Sequence, residues 1–297
     1  MNIIEGIKQL NIGEIFENVN LKNYTTYKID GIAFCVVYPS SISNLITLLK
    51  YLEENKTKYK IIGRGSNLIF KNDYDGVLIR LDKIDHLEII GNEVIVGAGY
   101  PLMKLAMKLS RLGYTGLEFA AGIPGSVGGA VYMNAGAYKS DMGYIVKSVK
   151  VLTPRFEVLE LSNAYMNFHY RDSFLQHHKD YICLEATLVL KKANPDEILQ
   201  LIEDRRQRRV ETQPLEYPSA GSVFRNPADD YAGRLIEEVG LKGYNIGDAK
   251  VSEKHANFII NTGSATGKDI VALIDKIKTD VKEKYDIDLK VEQEIVE

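Results

Sequence analysis

Two cysteines are all that the sequence contains, and neither lies in a metal-binding spacing. Cys35 and Cys183 each sit inside a short apolar run, which is typical of buried thiols in strands. Neither Cys-x-x-Cys nor His-Glu-x-x-His occurs in the 297 residues, although zinc sites are recognised from such spacings. We therefore predict no disulfide and no metal site.

The sequence also lacks long hydrophobic segments and a strong net charge. No apolar run approaches the roughly 18 residues that a membrane helix needs, and the first ten residues mix acids and bases, unlike a signal peptide. The 37 basic and 40 acidic residues leave a formal net charge of −3, too little to attract nucleic acid or an anionic membrane. We expect a cytoplasmic protein that binds neither nucleic acid nor a membrane.

What is present is the composition of a globular protein, with 45% hydrophobic and 26% charged residues. A chain of this length is too long for one ordinary core. Its mixed order of helices and strands predicts an α+β fold. We expect a lead-in helix in residues 1–20, two α+β segments at residues 21–90 and 91–194, and a C-terminal α+β domain at residues 195–297.

The individual elements follow from hydrophobic periodicity and from turn residues. The predicted helices cover residues 1–10, 40–55, 101–112, 195–209, 231–239 and 268–285. The predicted strands cover residues 33–38, 59–62, 76–81, 88–90, 93–96, 145–152, 157–161, 181–190, 258–261 and 289–296.

Two glycine-rich loops have the composition of phosphate-binding backbone. Residues 63–67 (GRGSN) follow a predicted strand but lack the third glycine of a dinucleotide-binding fingerprint, so a sharp turn is the alternative. Residues 122–129 hold four glycines in eight positions, a density that indicates backbone brought close to a ligand, with a buried glycine-rich turn between packed elements as the alternative. Residues 263–268 are one residue short of an ATP-binding loop, and we predict a helix cap at Thr266 instead.

Six sequence blocks carry a resemblance to a known family. They are residues 23–31 (NYTTYKIDG), 63–68 (GRGSNL), 121–138 (AGIPGSVGGAVYMNAGAY), 170–173 (YRDS), 219–227 (SAGSVFRNP), and 232–236 with 247–258 (AGRLI and GDAKVSEKHANF). In these blocks, and in their order, the chain resembles the UDP-N-acetylenolpyruvoylglucosamine reductases of peptidoglycan synthesis. The spacing of 51 residues between Arg171 and Ser222 resembles the shorter, type II form of that family.

The resemblance implies a vanillyl-alcohol-oxidase (PCMH-type) flavoprotein fold, with FAD between two subdomains and a C-terminal domain that binds substrate. NADPH would reduce FAD, and the enolpyruvyl ether of UDP-N-acetylglucosamine would then be reduced to UDP-N-acetylmuramate. The residues implied for cofactor binding are Tyr27, Gly63, Arg64, Gly65, Ser66, Asn67, Gly122, Ile123, Pro124, Gly125, Ser126, Gly128, Gly129, Ala130, Asn134 and Gly136.

The resemblance also implies the residues that act on substrate. Arg171 would bind the substrate carboxylate, Ser222 would donate a proton, and Glu292 would assist the developing enolate. Counting from Leu289 favours Glu292, but Glu294 lies two residues on and remains an alternative. The residues implied for substrate binding are Tyr170, Arg225 and Asn226.

Two other classes of function fit parts of the same sequence. The first is a flavin-dependent oxidase of the same fold, which would pass electrons to oxygen. The second is a nucleotide-binding module without catalytic activity. The first would be reoxidised by air, and the second would hold no flavin.

Overall fold

A computed structural model describes residues 3–297, so the first two residues of the predicted N-terminal helix lie outside the described part of the chain. The helices are α1 (Ile3–Gln9), α2 (Ile42–Glu54), α3 (Leu102–Arg111), α4 (Val127–Tyr132), α5 (Asn163–Met166), α6 (Phe174–His177), α7 (Pro195–Thr212), α8 (Ala232–Glu238) and α9 (Gly267–Tyr285). Short 3-10 helices cover Leu21–Asn23, Glu118–Ala120 and Met142–Tyr144.

The strands are mostly short and are spread along the chain. They are β1 (Gly13–Asn20), β2 (Ile32–Pro39), β3 (Tyr59–Ile62), β4 (Leu68–Phe70), β5 (Tyr74–Arg80), β6 (Leu87–Ile90), β7 (Glu93–Gly97), β8 (Tyr114–Thr115), β9 (Gly136–Ala137), β10 (Ser140–Asp141), β11 (Val146–Leu152), β12 (Val158–Ser162), β13 (Ile182–Val189), β14 (Lys191–Lys192), β15 (Asn245–Ile246), β16 (Ala249–Val251), β17 (Ile259–Asn261) and β18 (Glu294–Val296).

Local signals in the sequence explain where the long helices begin. The Ser41 hydroxyl accepts a hydrogen bond from the amide of Asn44 and caps α2. Thr266 and Asp269 form a reciprocal capping box at the start of α9, which satisfies amides that the helix itself leaves without partners. The predicted cap at Thr266 is therefore confirmed.

The described residues form two compact units that interleave along the chain. The first contains residues 3–17 together with Cys35–Arg64 and Gly76–Arg206, and the second contains Asn18–Phe34, Gly65–Asp75 and Gln207–Glu297. These limits differ from the four predicted segments, because two short N-terminal stretches group with the C-terminal residues. The finer division into two flavin-binding subdomains stays a prediction.

An antiparallel sheet in the order β12-β11-β13-β7-β6 supports the glycine-rich segment of the first unit. The predicted hairpin between β6 and β7 is confirmed, and Gly91 takes the positive φ that its turn requires. Helix α4 packs against β13, and α3 turns Leu102, Leu105 and Leu109 into the core. The residues that follow the glycine-rich loop therefore rest on a rigid sheet.

A second sheet has the order β1-β2-β5-β3, in which β3 and β5 run parallel. Strand β1 was not predicted, because most of its residues are exposed and its sequence, GEIFENVN, lacks a buried alternating face. Strand β3 ends at Ile62, so Gly63 begins the predicted phosphate loop directly at the end of a strand.

The second unit is built around α9. This helix packs against β15 and β16 of the antiparallel sheet β15-β16-β17, and against α8. Its buried side chains include Leu273, Ile277 and Val281. Strand β18 runs parallel to β4, so only the end of the predicted strand at residues 289–296 forms a ladder. Among residues 3–297, no helix is long and apolar enough to cross a membrane.

Candidate functional site

The two predicted phosphate loops meet in the first unit at Gly63 and Ser126. A Cβ atom added at Gly63 would lie 2.8 Å from the Ser126 hydroxyl, closer than packed atoms allow. Ser126 is buried and caps α4 by accepting a hydrogen bond from Gly129 at 3.3 Å. A side chain at Gly63 would therefore displace the Ser126 hydroxyl from its capping position on α4.

The glycine-rich loop is held by main-chain bonds to Ala98 and Tyr100. The amide of Val127 donates to Tyr100 O at 3.0 Å, and that of Gly128 donates to Ala98 O at 2.8 Å. The amides of Gly125 and Ser126 make no hydrogen bond within residues 3–297. Two neighbouring amides without protein acceptors fit a phosphate oxygen, because backbone N–H groups bind anions without a charged side chain. This arrangement fits the pyrophosphate of FAD.

In the second unit the chain at Gly65 approaches the first of the six sequence blocks. Gly65 has φ of +66°, and a Cβ there would lie 1.9 Å from Tyr24 O. The amide of Thr26 donates to Gly65 O at 3.3 Å. The hydroxyl oxygens of Thr25 and Thr26 are buried without a hydrogen-bond partner in the described residues. Such orphaned polar atoms are rare and fit the polar groups of a bound cofactor.

Arg171 lies at the tip of a tight turn in the first unit. Backbone hydrogen bonds of 3.1 and 3.0 Å join His169 and Asp172, and Arg171 has φ of +56°. Its Nη2 donates to the carbonyl oxygen of Gly136 at 2.7 Å, and its Cζ lies 5.1 Å from the centre of the Tyr170 ring. The structure thus places Arg171, which we predict to bind the substrate carboxylate, beside the glycine-rich segment.

Gly136 lies in a β-hairpin whose connecting loop has two residues. It pairs with Asp141 across β9 and β10, and Tyr138 and Lys139 between the strands both have positive φ, as a type I′ turn requires. A Cβ at Gly136 would lie 2.4 Å from Ser140 O. The carbonyl that accepts from Arg171 is therefore rigid.

Asn134 is predicted to bind cofactor, and its side chain already supports the Arg171 turn. It is 1% exposed. Its Nδ2 donates to His169 O at 2.7 Å, and its Oδ1 accepts from the amide of Gly143 at 2.8 Å. Its role toward the cofactor stays a prediction.

Ser222 and Glu292 lie on adjoining segments of the second unit. The amide of Glu292 donates to Val223 O at 2.8 Å, and Gln293 Nε2 donates to Ser222 O at 3.4 Å. The amide of Glu294 instead donates to Asn67 O at 2.9 Å. Asn67 Nδ2 also donates to Glu292 O at 3.1 Å, so both candidate glutamates bond to Asn67, and Glu292 is the one whose amide bonds beside Ser222.

The remaining predicted residues of the second unit have clear places. Tyr27 is fully buried, and its hydroxyl donates to Gln293 Oε1 at 2.9 Å. Burial raises the pKa of this phenol, so it stays neutral. The amide of Arg225 donates to Lys290 O at 2.9 Å, and Asn226 Oδ1 accepts from the amide of Ala232 at 3.1 Å. With no exposed surface, the Tyr27 side chain would act on a cofactor only by supporting its neighbours.

The predicted site residues divide between the units. The first unit contains Gly63, Arg64, Gly122, Ile123, Pro124, Gly125, Ser126, Gly128, Gly129, Ala130, Asn134, Gly136, Tyr170 and Arg171, and the second contains Tyr27, Gly65, Ser66, Asn67, Ser222, Arg225, Asn226, Glu292 and the alternative Glu294. Two glutamines were missed. Gln176 Nε2 donates to Arg171 O at 2.9 Å, and Gln293 Nε2 lies 3.1 to 3.4 Å from the carbonyl oxygens of residues 220–222. No motif in the sequence singles them out.

Comparisons with known proteins show the family to which the chain belongs. The family model for the C-terminal domain of UDP-N-acetylenolpyruvoylglucosamine reductase matches residues 213–296, and an FAD binding domain model matches residues 33–162. The chain is 47% identical over 296 residues to the UDP-N-acetylenolpyruvoylglucosamine reductase of Bacillus licheniformis, covering 99% of this chain and 98% of that protein. It is 48% identical to that of Anoxybacillus flavithermus, covering 98% and 97%.

A solved structure extends the likeness to the fold. The crystal structure of UDP-N-acetylenolpyruvylglucosamine reductase from Thermus caldophilus matches with a TM-score of 0.81 and 33% identity, covering 96% of this chain and 98% of that one. The expected α+β flavoprotein fold, with an FAD-binding part and a C-terminal domain, is confirmed. The chain belongs to the family of UDP-N-acetylenolpyruvoylglucosamine reductases.

Proposed function

We propose that the protein reduces the enolpyruvyl ether of UDP-N-acetylglucosamine to UDP-N-acetylmuramate, with bound FAD and with NADPH as electron donor. Membership of the reductase family and the match to an FAD binding domain support this proposal. The product is a precursor of peptidoglycan, so the enzyme would serve cell-wall synthesis.

The observation that supports the site most directly is the hydrogen bond from Arg171 Nη2 to Gly136 O. It joins a guanidinium, which stays charged at any physiological pH, to the glycine-rich segment that we expect to hold the flavin. A fixed positive charge beside a flavin is what a reductase of a carboxylated double bond needs, because negative charge develops there during the reaction.

Held by the loops at Gly63 and Gly125, FAD would supply the redox chemistry that no side chain can perform, namely hydride transfer to the terminal carbon of the vinyl ether with NADPH as the source of the two electrons. Addition there leaves negative charge on the adjacent carbon, shared with the substrate carboxylate. Arg171 binds this carboxylate, since a guanidinium can give it two parallel hydrogen bonds. The interaction strengthens as charge builds on the carboxylate.

Ser222 donates the proton that completes the saturated product. A serine hydroxyl is a weak acid, so it has to be positioned and its charge compensated as the proton leaves. Gln293 Nε2 lies 3.4 Å from Ser222 O and 3.1 Å from Ala220 O, and the amide of Glu292 donates to O of Val223, the residue after Ser222. These contacts support Glu292, rather than Glu294, as the carboxyl group that assists the proton transfer.

Tyr170, Arg225 and Asn226 are the residues that we expect to contact the UDP-sugar. Arg225 is partly buried and Asn226 is exposed, and both offer donors suited to phosphate and sugar oxygens. We expect the enzyme to work as a monomer in the cytoplasm. The two free cysteines fit a reducing compartment.

The experiment that tests this proposal begins with the colour of the purified protein. It should be yellow and should release FAD on denaturation. Under anaerobic conditions NADPH should bleach the absorbance near 450 nm, and a parallel trace with NADH tests the preference between the two donors. A colourless protein that takes up no FAD would reject the proposal and favour a non-catalytic module.

A further inference from the structure

The backbone of Arg171 has a conformation that its surroundings have to enforce. Its φ of +56° lies in the left-handed region, which residues with a Cβ occupy only when neighbouring contacts demand it. A shift of this turn would move the guanidinium away from Gly136. Any group that holds the Arg171 peptide therefore also controls where its charge lies.

Gln176 is such a group. It lies in the short helix α6, and its side-chain Nε2 donates to Arg171 O at 2.9 Å and to Tyr132 O at 3.1 Å. Tyr132 is the last residue of α4, which begins at the glycine-rich loop. A primary amide carries two N–H donors on one nitrogen, so Gln176 can bond both carbonyls together. It connects the helix after the predicted flavin loop to the peptide of Arg171.

We propose that Gln176 is a positioning residue of the reductase, which fixes the Arg171 turn so that the guanidinium meets the substrate carboxylate. The inference rests on the proposed role of Arg171 in the reaction. Gln176 would act through the Arg171 peptide and not by contact with cofactor or substrate. Small displacements of a charged group from its productive geometry lower reaction rates strongly.

Ser173 provides a matched control in the same turn. Its hydroxyl donates to the same Tyr132 carbonyl at 2.7 Å, and its hydrogen bonds within the described residues do not include Arg171. Ser173→Ala therefore loosens the contact with α4 without removing a bond to the Arg171 peptide. This variant therefore shows the effect of a weaker contact with α4 alone, without the loss of the hydrogen bond from Gln176 to Arg171 O.

The test uses the full-length, FAD-loaded protein with Gln176→Met, which keeps the length of the side chain but removes its donors. Reoxidation of the reduced flavin by the enolpyruvyl UDP-sugar should slow about tenfold or more, while flavin reduction by NADPH and FAD content stay at the wild-type level. The dissociation constant of the sugar for the oxidised protein, measured by calorimetry, should rise about tenfold. Ser173→Ala should show a clearly smaller change in both.

Gln176→Glu gives a second variant of the same size, which cannot donate at neutral pH, and the same defect is expected. A variant that keeps its flavin and reoxidises at the wild-type rate overturns the inference. So does equal slowing of both half-reactions, which would indicate a general structural role. If the wild-type protein is itself not reoxidised by the sugar, the proposed function fails and this inference fails with it.

Discussion

The Arg171 guanidinium donates a 2.7 Å hydrogen bond to the Gly136 carbonyl. The two residues are 35 positions apart and belong to two different sequence blocks. Their hydrogen bond brings these two blocks together in the first unit. It joins the turn that contains Arg171 to the type I′ hairpin that contains Gly136.

Gly63→Ala should lower the affinity for FAD. The added Cβ would lie 2.8 Å from the Ser126 hydroxyl, so this hydroxyl has to rotate away and lose its hydrogen bond to the amide of Gly129 at the start of α4. The ratio of flavin to protein absorbance after gel filtration measures the loss. In the double variant Gly63→Ala/Ser126→Ala the clashing oxygen is gone and the next atom, Ser126 Cβ, lies 3.9 Å away. Flavin retention in the double variant should then equal that of Ser126→Ala alone. Full flavin retention in Gly63→Ala would show that the contact between residue 63 and the Ser126 hydroxyl does not affect FAD binding.

Glu292→Gln should slow the reoxidation of reduced flavin by the sugar, by roughly a hundredfold if the carboxyl group acts in proton transfer. Glu294→Gln is the matched control, because its amide bonds to Asn67 rather than to the Ser222 segment. Rapid-mixing absorbance traces at 450 nm compare the two. The assignment is wrong if Glu294→Gln is the slower variant.

Ser222→Ala should separate the two half-reactions. Reduction of the flavin by NADPH should stay near the wild-type rate, since no proton from Ser222 is needed there. Reoxidation by the sugar should fall by roughly a hundredfold or more, because the proton donor is missing. Equal slowing of both half-reactions would argue against the role of Ser222.

Lys150→Met should make stability less dependent on pH in the acid range. Burial alone would raise the pKa of Glu185, but hydrogen bonds from Lys150 (2.8 Å) and His86 (2.7 Å) outweigh it and lower this pKa. A carboxyl group with a lowered pKa stabilises the fold above its unfolded value of about 4.3, and this contribution disappears as pH falls through the folded value.

The expected cost of Lys150→Met is about 1 kcal/mol at pH 7, and it should shrink below pH 4 as Glu185 becomes protonated. Urea unfolding of the variant and of the wild-type protein, at pH 7 and below pH 4, measures the difference in the free energy of unfolding at each pH. Lys147→Met, on the same strand, removes an exposed pair with Glu93 and should cost well below that amount. A cost for Lys150→Met that does not change with pH would show that Glu185 is not the partner responsible.

Elements with local signals could be predicted from the sequence. Helices α2 and α9 carry their caps at Ser41 and Thr266, and the hairpin of β6 and β7 has Gly91 in its turn. In each case the residues that decide the structure are within a few positions of each other. The same holds for the Gly63 loop, which follows directly from a strand.

Contacts between distant parts of the chain could not be predicted. Strand β18 pairs with β4 across more than 220 residues, and no periodicity in residues 289–296 indicates that partner. Gln176 and Gln293 are ordinary polar residues in the sequence, and their importance depends on carbonyl groups that only the fold brings near. The interleaved units arise in the same way, because Asn18–Phe34 and Gly65–Asp75 find their partners near the C-terminus.

The most direct test of the account is a single turnover without oxygen. Protein reduced by one equivalent of NADPH is mixed with the enolpyruvyl ether of UDP-N-acetylglucosamine, and absorbance at 450 nm is followed while the products are identified by mass. We predict rapid return of the yellow colour together with one equivalent of UDP-N-acetylmuramate, and almost no return without the sugar. Protein that stays bleached with the sugar and regains its colour only when air is admitted would contradict the account and indicate an oxidase.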